Sequence, residues 1–315
     1  MSTTDCREHF VTLFDSYFLP QGLSLYKSLE RHCSPFHLWI GAVDEACEMA
    51  LLSLALEHVT VVRMSELENA QLLSVKPGRS IGEYCWTLTP FLPSYVFNRK
   101  SDLNRVTYID ADLFFFESAK PLIDEFVRSG KHVLLTEHAF GPEYMPAMKY
   151  GRFCVQFITF RNTDSARKVL EWWQNRCIEW CFGRLEDGKF GDQKYLDQWP
   201  DLFKYDVHVL TQTCRTVAPW NVDYLAGKVE GVKPIFYHFH GLRLTSPNFL
   251  VLYSGYRIGR RNRWIYERYL PDFRAAIAEL RSRQIVPVWR PVAEGFRALR
   301  VAWRILRGRF GWVRV

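Results

Sequence analysis

No two cysteines in this chain are spaced as CxxC, although it holds eight Cys in 315 residues. That absence excludes a zinc ribbon or a paired redox dithiol. Cys177 and Cys181 lie four apart on an expected helix, but no second ligand pair at metal spacing accompanies them. Reduced, mostly buried thiols are therefore expected, as in a cytosolic protein. No apolar run approaches the length needed to span a bilayer. The opening stretch Met1 to His9 is polar where a secretory leader would be apolar. Internal repeats and low-complexity linkers are also missing, so a solenoid and a disordered array are both excluded.

What is present is an ordinary globular composition, 48% hydrophobic and 24% charged, enough to bury a full core. Rings are abundant, with 11 Trp, 15 Tyr and 23 Phe, and they serve both as core fillers and as flat platforms for sugars. The net charge of +7 is uneven. Residues 281–315 carry nine Arg against a single acid, Glu294, for a local charge of +8, which leaves the first 280 residues at about −1. An acidic partner is therefore expected for the tail and not for the whole protein. Nucleic acid is not that partner, because the basic residues are confined to the tail and no binding motif accompanies them.

Along the first half, strand-like and helix-like segments alternate. Phe10 to Phe14, Phe36 to Ile40, Val59 to Arg63 and Arg105 to Ile109 read as strands. Leu23 to Leu29, residues 45–57 and Trp86 to Phe97 read as helices between them. Such alternation predicts an α/β domain with a mainly parallel sheet covered on both faces. Val133 to Thr136 and Phe153 to Phe160 are further strands, and Asp164 to Cys181 is a long helix. The expected division is a catalytic domain over residues 1–250 and a basic extension over 251–315.

Asp110-Ala111-Asp112 follows the apolar strand Val106-Thr107-Tyr108-Ile109 and precedes Leu113 to Phe116. Ligands of open α/β sheets bind at the carboxyl ends of strands. Two carboxylates one residue apart can both reach one hard cation, Mn²⁺ or Mg²⁺, which in turn can bridge a diphosphate. Tyr108-Ile109-Asp110-Ala111-Asp112 resembles the metal-binding motif of family 8 glycosyltransferases and their bacterial polysaccharide-cluster relatives. Phe14-Asp15-Ser16-Tyr17 is similar to the segment that cradles the nucleotide in that family. Phe236-Tyr237-His238-Phe239-His240-Gly241 resembles its C-terminal His-x-x-Gly motif.

The resemblance covers most of residues 9–245. It implies a GT-A-like fold and a cation held by Asp110, Asp112 and His238. It also implies a nucleotide sugar, UDP-linked by analogy, contacted by Phe14, Asp15, Tyr17, Ala111, Gly241 and Arg243. The chain departs from the family at Leu244, where relatives carry a lysine that meets the diphosphate, and Arg243 is the nearest substitute. Gln156 lies where relatives have an Asn-x-Gly stretch and is expected near the acceptor. Asp192 and Gln193 resemble the Asp-Gln segment beside the transferred sugar, and Asp192 reads equally as the cap of a helix running to Trp199. If the strand ends at His238, His240 can also face the site; if it continues, His240 turns away.

Glu137-His138 reads as a surface turn slightly ahead of a cleft pair. Trp220-Asn221 reads evenly as an acceptor wall or a turn anchored by a buried Trp. Glu179, Glu186 and Asp187 read as solvated. After Pro291, Val292, Phe296, Leu299, Trp303 and Leu306 recur at helical spacing beside Arg297, Arg300, Arg304 and Arg307. That amphipathic basic helix reads as interfacial, placing residues 284–315 on an anionic membrane surface.

The resulting expectation is a cytoplasmic glycosyltransferase, peripheral at the inner face of the cell membrane. It would be Mn²⁺-dependent and retaining, and would use a glycan or lipid-linked acceptor. A sugar-nucleotide nucleotidyltransferase is disfavoured because Ser16 to Leu23 lacks the Gly-rich, Arg-containing loop it needs. A catalytically silent carbohydrate-binding or membrane-associated scaffold of the same fold is the other rival.

Overall fold

The computed structural model describes residues 7–226, 228, 233–291 and 296–315, the span 296–300 by its backbone alone. Its centre is a seven-stranded sheet of β1 (Glu8–Phe14), β2 (Phe36–Ala42), β3 (Val59–Arg63), β4 (Arg105–Ile109), β6 (Val133–Glu137), β7 (Phe153–Arg161) and β8 (Val207–Val209). The order is β3-β2-β1-β4-β7-β6-β8. Every neighbouring pair is parallel except the two made by β7, which runs against β4 and β6. The expected mainly parallel α/β sheet with flanking helices is the one observed.

Two smaller sheets complete the chain. The first joins β5 (Leu113–Phe115), β9 (Thr216–Val217) and β10 (Phe236–His238). The second joins β11 (Arg243–Ser246), β12 (Phe249–Ser254) and β13 (Phe310–Arg314). The α-helices of eight or more residues are α1 (Leu19–His32), α2 (Glu45–Leu54), α3 (Ile81–Leu88), α4 (Phe91–Arg99), α5 (Lys120–Ser129), α6 (Asp164–Glu179), α7 (Trp264–Ser282) and α8 (Phe296–Leu306).

Alternation along the strands explains why helices cover both faces. In β1, Phe10 and Phe14 face one apolar cluster while Val11 and Leu13 face the other. β2 repeats this, with Leu38 and Ile40 on one side and Trp39 on the opposite side. Each large side chain buried in this way contributes roughly 1.5–3 kcal/mol. The helix expected over Trp86 to Phe97 is two helices. Pro90 lies between α3 and α4 and has no N–H to continue the first. Gly22 inside α1 is required by a close approach, since a Cβ there would collide with the Phe14 ring.

The tail departs from a simple helical extension. The expected helix is present as α8, with Val292 and the side chains of Phe296, Arg297, Leu299 and Arg300 outside the described residues. After it the chain turns back, and β13 pairs antiparallel with β12, Leu250 opposite Val313. The division expected at residue 250 falls inside β12. α7 packs on the body, its Tyr269 and Phe273 buried in the apolar cluster that holds Phe114 and Tyr237.

Candidate functional site

A cavity of about 610 Å³ opens where the carboxyl ends of β1, β4 and β6 meet the start of β7. β1 and β4 form the point at which strand order reverses, the usual place for a ligand in an open α/β sheet. Of the residues singled out in the sequence, Phe14, Asp15, Tyr17, Asp110, Ala111, Asp112, Asp192, Gln193, His238 and Arg243 all line this cavity.

The acid pair and the histidine meet because of the small sheet. After Asp112 the chain enters β5, and β10 pairs with it so that His238 lies opposite Leu113. The Phe239 N–H then donates to the Asp112 carbonyl at 2.8 Å. His238 Nε2 lies 3.1 Å from Asp112 Oδ1 and 3.8 Å from Asp110 Oδ2. Its other nitrogen, Nδ1, donates to Gln156 Oε1 at 2.9 Å. That bond fixes the ring and aims Nε2 at the acids, the arrangement that holds a metal-ligating imidazole. Cys154 joins the group, since ligand atoms of Asp110, Cys154 and His238 all lie within 4.8 Å of one another.

Charge is concentrated here. Burial would raise the Asp112 carboxyl, but the attraction of His238 outweighs it and holds Asp112 well below the usual range. His238 is raised in turn: burial works against its charge, and Asp112 overcomes it. Without a cation, the proton therefore resides on the imidazole and not on Asp112. Asp192 behaves oppositely. Burial first, and the charge of Asp110 second, push it up to about 8, so it is protonated at neutral pH and able to donate a hydrogen bond. Two carboxylates, an aimed imidazole and a thiol are a donor set that fits a divalent cation.

Several expectations need correction. Gln156 is fully buried behind His238 and does not line the cavity, so its contact is the imidazole and not an acceptor. Asp192 does not cap the following short 3-10 helix, whose cap position is Gln193. His138 is no surface turn. It is buried in the cavity wall, stacked on Phe140 at 4.7 Å, while Glu137 turns outward to Arg152. Trp220 is buried and anchors a turn, as one reading had it, and it also lines the cavity; both side chains donate to the His138 carbonyl, at 2.7 and 2.8 Å.

β10 ends at His238, so His240 also reaches the cavity and receives or gives a hydrogen bond with Tyr256 at 2.9 Å. Gly241 follows at φ +86°, a turn that L residues rarely adopt, and does not itself line the cavity. Glu186 and Asp187 are exposed, as read from the sequence, and so is Glu179.

Sequence reasoning did not assign Cys154, Arg290 or the aromatic lip of Trp86, Tyr150 and Phe190, all of which line the cavity. Tyr150 and Phe190 lie 4.8 Å apart and Trp86 is 6.3 Å from Phe190. No local signal marks them, since they come together from segments far apart in the chain.

The chain is 32% identical over 286 residues to the uncharacterized protein YfnD of Bacillus subtilis (strain 168), covering 87% of this chain and 91% of YfnD. It is 34% identical over 254 residues to the uncharacterized protein YfnF of the same organism, covering 76% and 83%. No protein-family model matches the chain. Among solved structures it is similar to the galactosyltransferase LgtC in complex with donor and acceptor sugar analogues, with a TM-score of 0.53 at 15% identity, covering 87% of this chain and 99% of LgtC. It is also similar to the bifunctional glycosyltransferase WbbM, with a TM-score of 0.52 at 14% identity, covering 91% and 53%. For the glycosyltransferase GlyE of Streptococcus pneumoniae TIGR4 the values are 0.52 and 15%, covering 88% and 64%. These likenesses establish the GT-A fold.

Proposed function

The chain belongs to the family of the Bacillus subtilis proteins YfnD and YfnF, and from its GT-A fold and cavity we propose that it is a metal-dependent glycosyltransferase using a nucleoside diphosphate sugar. The observation that carries this reading is the convergence of Asp110, Asp112 and His238 at the carboxyl ends of the strands. A bound divalent cation, Mn²⁺ by preference for this mixed donor set, would supply charge stabilisation to the departing diphosphate.

The chain's own groups do the rest. Asp15 and Tyr17 sit at the end of β1 and would take the nucleoside, with UDP the favoured carrier. Arg243, spread over the Phe18 ring at 4.9 Å, would meet phosphate. Asp192, protonated and buried, would orient the sugar by donating to a hydroxyl, with Gln193 beside it. His138 and Trp220 wall the cavity and would limit the water around a bound donor. Trp86, Tyr150 and Phe190 offer faces for a glycan or lipid-linked acceptor. Retention of anomeric configuration follows the family 8 resemblance.

The tail reading belongs with this. In α8, Trp303, Ile305 and Leu306 are 47%, 50% and 86% exposed, so these apolar residues are not docked on the body. Arg307 lies beside them, over the Trp303 ring at 4.1 Å, while Arg304 turns to the body and donates to Ser254 Oγ at 2.8 Å. A lipid-linked acceptor would be met at an anionic membrane surface, where each basic residue contributes about 1 kcal/mol.

Nucleoside diphosphate release from UDP-, GDP- and TDP-sugars, with Mn²⁺ and with chelator, tests the proposal. Metal-dependent release from one donor is expected, and Asp112→Asn should reduce it by at least about a hundredfold. No release with any donor, even with sugar acceptors present, would favour a catalytically silent carbohydrate-binding protein instead.

A further inference from the structure

The tail sends one side chain into the cavity. Past α7 the chain crosses the body: Arg283 donates to the Ser53 carbonyl at 2.9 Å and Ile285 packs against the core. The Arg290 N–H then donates to the Leu244 carbonyl at 3.1 Å. This holds the Arg290 guanidinium 4.5 Å from the Tyr17 ring and 3.5 Å from Asp15 Oδ2, at the rim of the cavity. The same Leu244 carbonyl accepts from the Tyr17 hydroxyl at 3.3 Å, so ring and guanidinium share one anchor.

We infer that Arg290 is a donor-binding residue, supplied by the C-terminal segment to take the diphosphate of a nucleoside diphosphate sugar together with Arg243. The inference rests on the donor reading above. Three observations support it. Arg243 and Arg290 lie over the consecutive rings Phe18 and Tyr17, and both line the cavity. They face the carboxylates of Asp15, Asp110 and Asp112, beside the protonated Asp192, and these three charges oppose an entering dianion, a repulsion that a second arginine offsets.

The third observation is how loosely Arg290 is held. Its side chain is 57% exposed and its contact with Asp15 is long. A diphosphate offers a guanidinium two oxygens at once, a better partner than one distant carboxylate oxygen. Asp15 is held with one buried oxygen, Oδ1, lacking any hydrogen-bond partner. Release of Arg290 to phosphate would leave that carboxylate facing the nucleoside. Position 244 itself is the buried, apolar Leu244, so the positive charge at this point comes from a residue 46 positions further along the chain.

The test compares the affinities of the full chain for UDP and for uridine by calorimetry, with Mn²⁺ present, in wild type, Arg290→Ala and Arg290→Lys. Arg290→Ala is expected to weaken UDP about tenfold and leave uridine unchanged, with Arg290→Lys intermediate. Unchanged UDP affinity in Arg290→Ala overturns the assignment, as does an equal loss for uridine, which would mean that Arg290 acts through Asp15 on the nucleoside. Wild-type protein that binds neither UDP, GDP nor TDP defeats the donor reading itself, and the assignment with it.

Discussion

Gln156 shows how much one side chain can decide. Its Oε1 takes the His238 Nδ1–H, and its Nε2 is buried without a partner. Replacing it with Leu removes the acceptor that orients the imidazole and also removes an orphaned amide. Fold stability should fall by no more than about 1–3 kcal/mol, because the buried His238 Nδ1–H loses its partner while the orphaned Gln156 Nε2 is removed. Mn²⁺ affinity, read by electron paramagnetic resonance of the free ion, should fall 10- to 100-fold, the usual effect of losing a ligand's outer partner. Equal affinity in Gln156→Leu would show that the ring is held by packing alone. The sequence singled out Asp110, Asp112 and His238, which the fold brings together, because each sits in a recognisable local run. It did not reveal the role of Gln156, since that depends on a histidine 82 residues away. His138 misled for the same reason: a residue just past a strand looks exposed until Trp220 folds over it.

At the scale of elements, periodicity was a good guide and direction was not. Apolar alternation marked β1, β2, β4 and β6 within a residue or two, and a proline accounts for the split between α3 and α4. Nothing in the residues of β7 declares that it runs antiparallel. Its return from β6 through residues 138–152 is long enough for a crossover, but holds the 3-10 helix Pro142–Tyr150 and no α-helix laid along the sheet. α8 was legible from its spacing, whereas β13 was not, being a five-residue strand whose partner β12 lies some 60 residues earlier. The exposed apolar residues of α8 lead to a direct expectation. Leu306→Glu, with or without Trp303→Glu, should reduce co-sedimentation with phosphatidylglycerol vesicles several-fold and leave thermal stability unchanged. Binding equal to wild type would remove the membrane from the account.

For the whole molecule, buried histidines set an acid limit. Burial, above all, pushes His138 down to about 3 and His37 down to about 4. Both are therefore neutral in the folded chain at pH 5, whereas in the unfolded chain they titrate near 6.5. The unfolded state then binds more protons throughout this interval, so stability rises with pH. The contribution of the neutral imidazoles is complete above about pH 6.5 and is lost as the pH falls through about 4 for His37 and about 3 for His138. The melting temperature of wild type should decline across that window, and the gap between wild type and His138→Gln should narrow as it does. A gap independent of pH would show that His138 titrates normally in the fold.

The pairing of β5 with β10 also orders events in time. Asp112 and His238 are brought together only when residues 236–238 lie against residues 113–115, closing a loop of more than 120 residues. On a ribosome, the acids emerge long before the histidine does. Nascent chain shorter than about 240 residues thus carries an acid pair without its imidazole, and the candidate cation site is assembled only after residue 238 has emerged.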